Sequence, residues 1–87
     1  MKDKAIVKSR YGDDILFYYD NSKWFVDLRE CLYVRVSANE DSELTAIDPD
    51  GGPFIAIGTT LSNFSSALPD IKIEKIVNNG EGIYQLT

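Results

Sequence analysis

Asp13 and Asp14 stand side by side in the cluster Tyr11-Gly12-Asp13-Asp14, and they are the first residues in this chain that invite a chemical reading. Paired carboxylates do acid and base work when burial or a neighbouring charge drives their pKa values apart. Adjacent acids in a glycine-containing turn are expected to be solvated, so the pair reads as a turn rather than a catalytic dyad. Asp27 and Glu30 make no better pair. Asp48-Pro49-Asp50-Gly51 resembles the opening of a calcium loop, where carboxylates at alternate positions offer oxygens to a hard cation. The twelfth position of such a loop calls for a bidentate glutamate. Here it is Thr59, and the apolar run Phe54-Ile55-Ala56-Ile57 intervenes, so a hairpin turn accounts for the segment better.

Cys31 has Arg29 close by, and a nearby guanidinium favours the thiolate. The chain contains no histidine, however, so a cysteine nucleophile lacks its usual base. The same absence removes the commonest general base and the usual zinc ligand. With a single cysteine the chain can form neither an internal disulfide nor a cysteine-based zinc site. Gly51-Gly52 and Gly80-Glu81-Gly82 lack the order of strand, glycine loop, lysine and helix that cradles a phosphate. No enzymatic activity, cofactor or metal is expected.

Charge narrows the partners. Lys and Arg number 9 against 14 Asp and Glu, the formal charge is −5, and the bases are scattered. Proteins that grip a phosphate backbone concentrate theirs, so direct nucleic-acid binding is disfavoured. The start, Met1-Lys2-Asp3-Lys4, is charged and runs straight into a strand-like segment, which predicts neither a secretion signal nor a membrane span and hence a cytoplasmic home.

The elements that must position any site are strands. Short runs of β-branched and aromatic residues recur along the chain, each ended by a turn cluster, and 87 residues with 44% hydrophobic content suffice for one core. One domain, 1–87, is expected, of the all-β or β-rich α+β class. The pattern predicts a small antiparallel barrel, or a compact sandwich, of six to eight short strands with one short helix near residues 60–68, and favours the barrel. Leu61, Phe64 and Leu68 would line that helix, with Thr60 as its cap and Pro69 as its end.

Ile15, Phe17 and Tyr19 alternate with Leu16 and Tyr18, and Trp24, Val26 and Leu28 alternate with Phe25 and Asp27. A turn at Asp20-Asn21 would set Phe17 opposite Trp24 and Ile15 opposite Val26. A following strand, Leu32 to Ser37, would then lie beside Lys23–Leu28 and complete a three-stranded meander. Leu44–Ile47 and Phe54–Ile57 form a second predicted hairpin. A third joins Ile71–Val77 to Ile83–Leu86 through an Asn79-Gly80 type I′ turn, with Val77 opposite Gly82 and Ile73 opposite Leu86.

In that meander the face turned away from Trp24 collects Leu16, Tyr18, Phe25, Tyr33 and Arg35. Tyrosine, phenylalanine and arginine on a rigid sheet are residue types that anchor protein interfaces, since they bring large contact area at small entropic cost. Two outcomes are open: the helix or a second sheet covers this face and makes it core, or it stays bare and binds. The leading expectation is a non-catalytic module that docks a protein partner or forms a homo-oligomer through the aromatic face or a strand edge. The alternatives are a barrel that binds a small molecule and an acidic inhibitor of a nucleic-acid enzyme. The acidic, histidine-free format is also common among small accessory proteins of cells and viruses.

Overall fold

The computed structural model describes residues 4–9, 11–49, 55–63 and 68–87. Within them lie the strands β1 Lys4–Lys8, β2 Asp14–Asp20, β3 Lys23–Asp27, β4 Val34–Ala38, β5 Leu44–Pro49, β6 Ile55–Ala56, β7 Ile76–Asn78 and β8 Ile83–Leu86. They make two antiparallel sheets, one of 5 strands in the order β1-β2-β3-β8-β7 and one of 3 in the order β4-β5-β6. The sheets do not close into a barrel. They pack as a sandwich on one continuous apolar cluster, in which Phe17, Trp24, Val26 and Leu86 of the large sheet meet Val34, Ile47 and Ile55 of the small one.

The helical stretch among the described residues is a single 3₁₀ turn, Leu61–Asn63. Leu61 and Leu68 are buried as expected, while Phe64 lies outside the described residues. Thr60 bridges Lys72 rather than capping a helix. The second hairpin forms, with Ala46 opposite Ala56 and Ile47 opposite Ile55. Most of its turn, including Gly51-Gly52 and the rest of the calcium-like segment after Pro49, lies outside the described residues.

The first hairpin keeps its predicted faces but not its register. Phe17 opposes Val26, Tyr19 opposes Trp24 and Asp20 opposes Lys23. The turn is Asn21-Ser22, both with positive φ (51° and 66°), as a type I′ turn demands. Serine is a poor candidate for that conformation, which is why Asp20-Asn21 was the better spelling. Two gains outweigh it: Asp20 meets an opposite charge, and the Tyr19 ring packs 5.3 Å from Trp24. A slip of two residues preserves side-chain parity, so Ile15, Phe17, Trp24 and Val26 still point inward.

The predicted meander is corrected at its third strand. β3 pairs with β8, Trp24 opposite Leu86 and Val26 opposite Tyr84, while the residues from Val34 onward enter the other sheet. The last hairpin is corrected too. Asn79 N–H bonds the Ile83 carbonyl at 2.9 Å, leaving Gly80, Glu81 and Gly82, with φ of 95°, 53° and 92°, as the loop. Ile76, not Ile73, therefore faces Leu86, and Val77 faces Gln85 rather than Gly82, because the three-residue offset from the predicted register reverses parity. Ile73 is buried through a different contact, its N–H bonded to the Thr59 carbonyl at 2.8 Å.

Phe17 is 1% exposed at the centre of the cluster and Leu32 is 76% exposed. Phe17→Ala should cost about 3–5 kcal/mol in denaturant unfolding, and Leu32→Ala less than about 0.5 kcal/mol. Ser22→Gly, which relieves the left-handed residue, should raise stability by up to about 1 kcal/mol.

Candidate binding surface

The outer face of the five-stranded sheet carries the sequence-predicted residues Leu16, Tyr18 and Phe25. Register places them in two rows across the strands. One row is Ile6, Leu16, Asp27 and Ile83; the next is Lys4, Tyr18, Phe25, Gln85 and Val77. The Tyr18 and Phe25 rings stack with centroids 5.2 Å apart and planes at 15°. Ile6 is 63% exposed, and Leu16, Tyr18, Phe25 and Ile83 are half-buried. Among the described residues the small sheet packs on the opposite, inner face.

Tyr33 and Arg35 do not join them. Once the chain crosses to the second sheet, Arg35 stands exposed on β4 opposite Asp48, on the far side of the sandwich. Tyr33 sits in the link before β4, its ring 5.6 Å from Tyr11 and beside the exposed Leu32. Sequence reasoning missed Ile6, Ile83 and Val77. The alternation of Lys4–Lys8 signalled a strand, but nothing local showed that Ile6 would lie against Leu16.

Charges rim the band. Lys8 pairs with Asp14 at 2.9 Å beside the Ile6 row, and Asp20 opposes Lys23 at the other end. Arg29 grips Asp27 with three side-chain bonds, Nε to Oδ1 at 3.0 Å and to Oδ2 at 3.2 Å and Nη2 to Oδ2 at 2.7 Å. That guanidinium holds the Asp27 carboxyl below its ordinary pKa, and Asp27 in turn raises Arg29. Between the ion pair, Ile6 and Leu16 lies a hollow of about 260 Å³.

The acids singled out for catalysis take a structural role. Asp13 is 7% exposed, not solvated. Its Oδ1 accepts the Leu32 N–H at 2.9 Å, and its Oδ2 accepts those of Tyr33 at 2.6 Å and Val34 at 3.1 Å. The Leu32 amide, followed by those of Tyr33 and Val34, holds its pKa below the usual value against the opposing effect of burial. Asp14 is exposed and bound to Lys8. Among the described residues no three His, Cys, Asp or Glu side chains gather to hold a metal ion.

Cys31 is not activated by Arg29, whose guanidinium is spent on Asp27. The thiol donates to the Asp14 carbonyl at 3.5 Å. Burial first, then Asp13, Asp27, Asp14 and Glu30, push its pKa up to about 11. This is an inert thiol.

Comparison with known proteins places the chain in no group: no family model matches it, and neither a curated protein nor a solved structure is detectably similar. Among the described residues no helix is long and apolar enough to cross a membrane.

Two outcomes follow from this geometry. A depressed carboxylate stabilises the fold above its ordinary pKa, 3.8 for Asp13, and loses that contribution as pH falls toward the folded value. Asp13→Asn should therefore lower the melting temperature at neutral pH far more than Asp14→Asn. It should also flatten the acid-induced loss of stability below about pH 4 relative to the parent chain. Iodoacetamide should alkylate Cys31 slowly at neutral pH, accelerating as pH approaches 11 or when guanidinium unfolds the chain.

Proposed function

We propose that this chain is a non-catalytic binding module, and that its working surface is the outer face of the five-stranded sheet, which docks a protein partner. The observation that carries the reading is a sheet with apolar residues on both faces and a second layer on one of them. Tyr18 and Phe25 supply stacked aromatic area at small entropic cost, and the hollow beside Leu16 offers a seat for a side chain from the partner.

A second copy of the chain is the partner the charges favour. The protein carries −5 overall, so copies repel over most of their surface. On this face Lys4, Lys8 and Lys23 balance Asp14, Asp20 and Asp27, with Arg29 folded onto Asp27. A near-neutral apolar band is where two such chains meet with least repulsion, and a two-fold arrangement lets each band cover the other. The homo-oligomer and a foreign protein would use the same residues.

Sedimentation equilibrium across a concentration series, with circular dichroism to check folding, tests this. The parent chain should associate, and Phe25→Ser and Tyr18→Ser should each weaken association at least about tenfold while staying folded. Arg35→Ser, on the far side, should leave it unchanged. A parent chain that stays monomeric throughout would exclude the second copy as partner. Unfolding of both serine variants would show that the band serves the core.

A further inference from the structure

The edge of β7 presents a different kind of surface, made by backbone. Lys75 and Thr87 exchange both main-chain bonds, at 2.6 and 2.8 Å, and Asn79 N–H donates to the Ile83 carbonyl at 2.9 Å. Bonded and unbonded pairs alternate along an antiparallel ladder. With Val77 opposite Gln85, the residues tied to β8 are thus Lys75, Val77 and Asn79. The N–H and C=O groups of Ile76 and Asn78 point the other way. β7 ends its sheet, and among the described residues no backbone bond joins it to β5 across the sandwich.

That free side is concave. A groove of about 570 Å³ separates β7 from the start of β5, with Leu44 and Ile57 on its far wall. Every residue from Glu74 to Asn78 lines it. A strand's face shows alternate residues and its edge shows consecutive ones, so the groove meets β7 edge-on. Ile57 is 43% exposed there. The charged lining residues are Glu43, Glu74 and Lys75, and Glu40 and Asp41 stand exposed in the adjoining loop. Asn39 Nδ2 holds the Glu43 carboxylate at 3.0 Å.

We propose that β7 accepts an added strand from an extended basic peptide. The peptide backbone bonds Ile76 and Asn78. The residue opposite Ile76 shares its inward side of the sheet, so apolar side chains at alternate positions point toward Leu44 and Ile57. Lysines or arginines between them reach Glu43 and Glu74. A second copy's β7 would set these acids against their own kind, and the net negative rim therefore selects a basic segment.

The test uses the full chain, labelled with ¹⁵N, and short synthetic peptides. One peptide alternates lysine with valine, one alternates glutamate with valine, and a third is the lysine peptide methylated on its valine amide nitrogens. In the free protein the Ile76 and Asn78 amides should exchange with D₂O faster than that of Val77. The lysine peptide should protect both. The glutamate and N-methylated peptides should bind about tenfold or more weakly, as should the lysine peptide to the double variant Glu43→Gln/Glu74→Gln. Equal binding of the N-methylated form, no binding of the lysine peptide, or resonance shifts confined to Leu16, Tyr18 and Phe25 would each overturn the proposal. Phe25→Ser should leave peptide binding intact, so failure at the sheet face and failure at the β7 edge remain separate results.

Discussion

One carboxylate decides how the chain is routed. Asp13 sits buried in the turn between β1 and β2, where its own N–H donates to Ser9 Oγ at 3.0 Å and its carbonyl accepts the Ser9 N–H at 2.8 Å. Its side chain then takes three consecutive amides from the segment entering β4. Such amides have no ladder partner, and leaving them unpaired would cost free energy comparable to a lost hydrogen bond each. An ionised acceptor answers all of them at once, with bonds stronger than neutral ones. Because the chain is pinned there, the residues after Leu28 cannot fold back along β3. The free side of β3 is left for β8, with Leu28 N–H bonded to the Gly82 carbonyl at 2.8 Å.

From that routing comes the imbalance on which function would rest. The C-terminal hairpin joins the first one and widens its sheet to 5 strands, while the middle of the chain supplies 3. The smaller layer covers the inward row of Phe17, Val26 and Leu86. Ile6, Leu16, Tyr18 and Phe25 are left to cover one another. Stacking of Tyr18 on Phe25 and the ion pairs Lys8–Asp14 and Arg29–Asp27 beside the Ile6 row reduce the apolar area that water meets without burying it. Antiparallel sheets commonly have one solvated face, but that face is usually polar.

What could be read from sequence was parity. Alternation assigned Ile15, Phe17, Trp24 and Val26 to one side of the first hairpin and Leu16, Tyr18 and Phe25 to the other, and both assignments survive a wrong turn position because the error was an even number of residues. The last hairpin shows the opposite case: an odd offset moved Val77 outward and Ile76 inward. Asn79-Gly80 suggested a two-residue turn, but the chain also has Gly82, which takes φ 92° and lies against Arg29. That contact is long-range and left no local mark. Pairing of β3 with β8 is likewise non-local, and so is the capture of the β4 amides by Asp13. Tyr33 and Arg35 were misplaced for this reason, since no periodicity reports where a strand goes once it leaves its sequence neighbours.

The two edges of the large sheet illustrate how charge can sort partners without changing the backbone. Ser9 N–H bonds the Asp13 carbonyl, so the ladder leaves the backbone of Lys4, Ile6 and Lys8 on the free side of β1. If two copies paired there antiparallel about Ile6, Lys4 of each would oppose Lys8 of the other, a like-charge arrangement that protects natural edges from aggregation. β7 is protected differently, by being only 3 residues long and by facing a groove walled by β5. β1 is basic and β7 has an acidic rim, so head-to-tail growth from one to the other has the charge it needs. β5 lies close beside that edge and lines the same groove, which obstructs a strand that brings its own second layer. On this reading the outer face recognises another folded surface through side chains, and the β7 edge recognises an unfolded one through backbone.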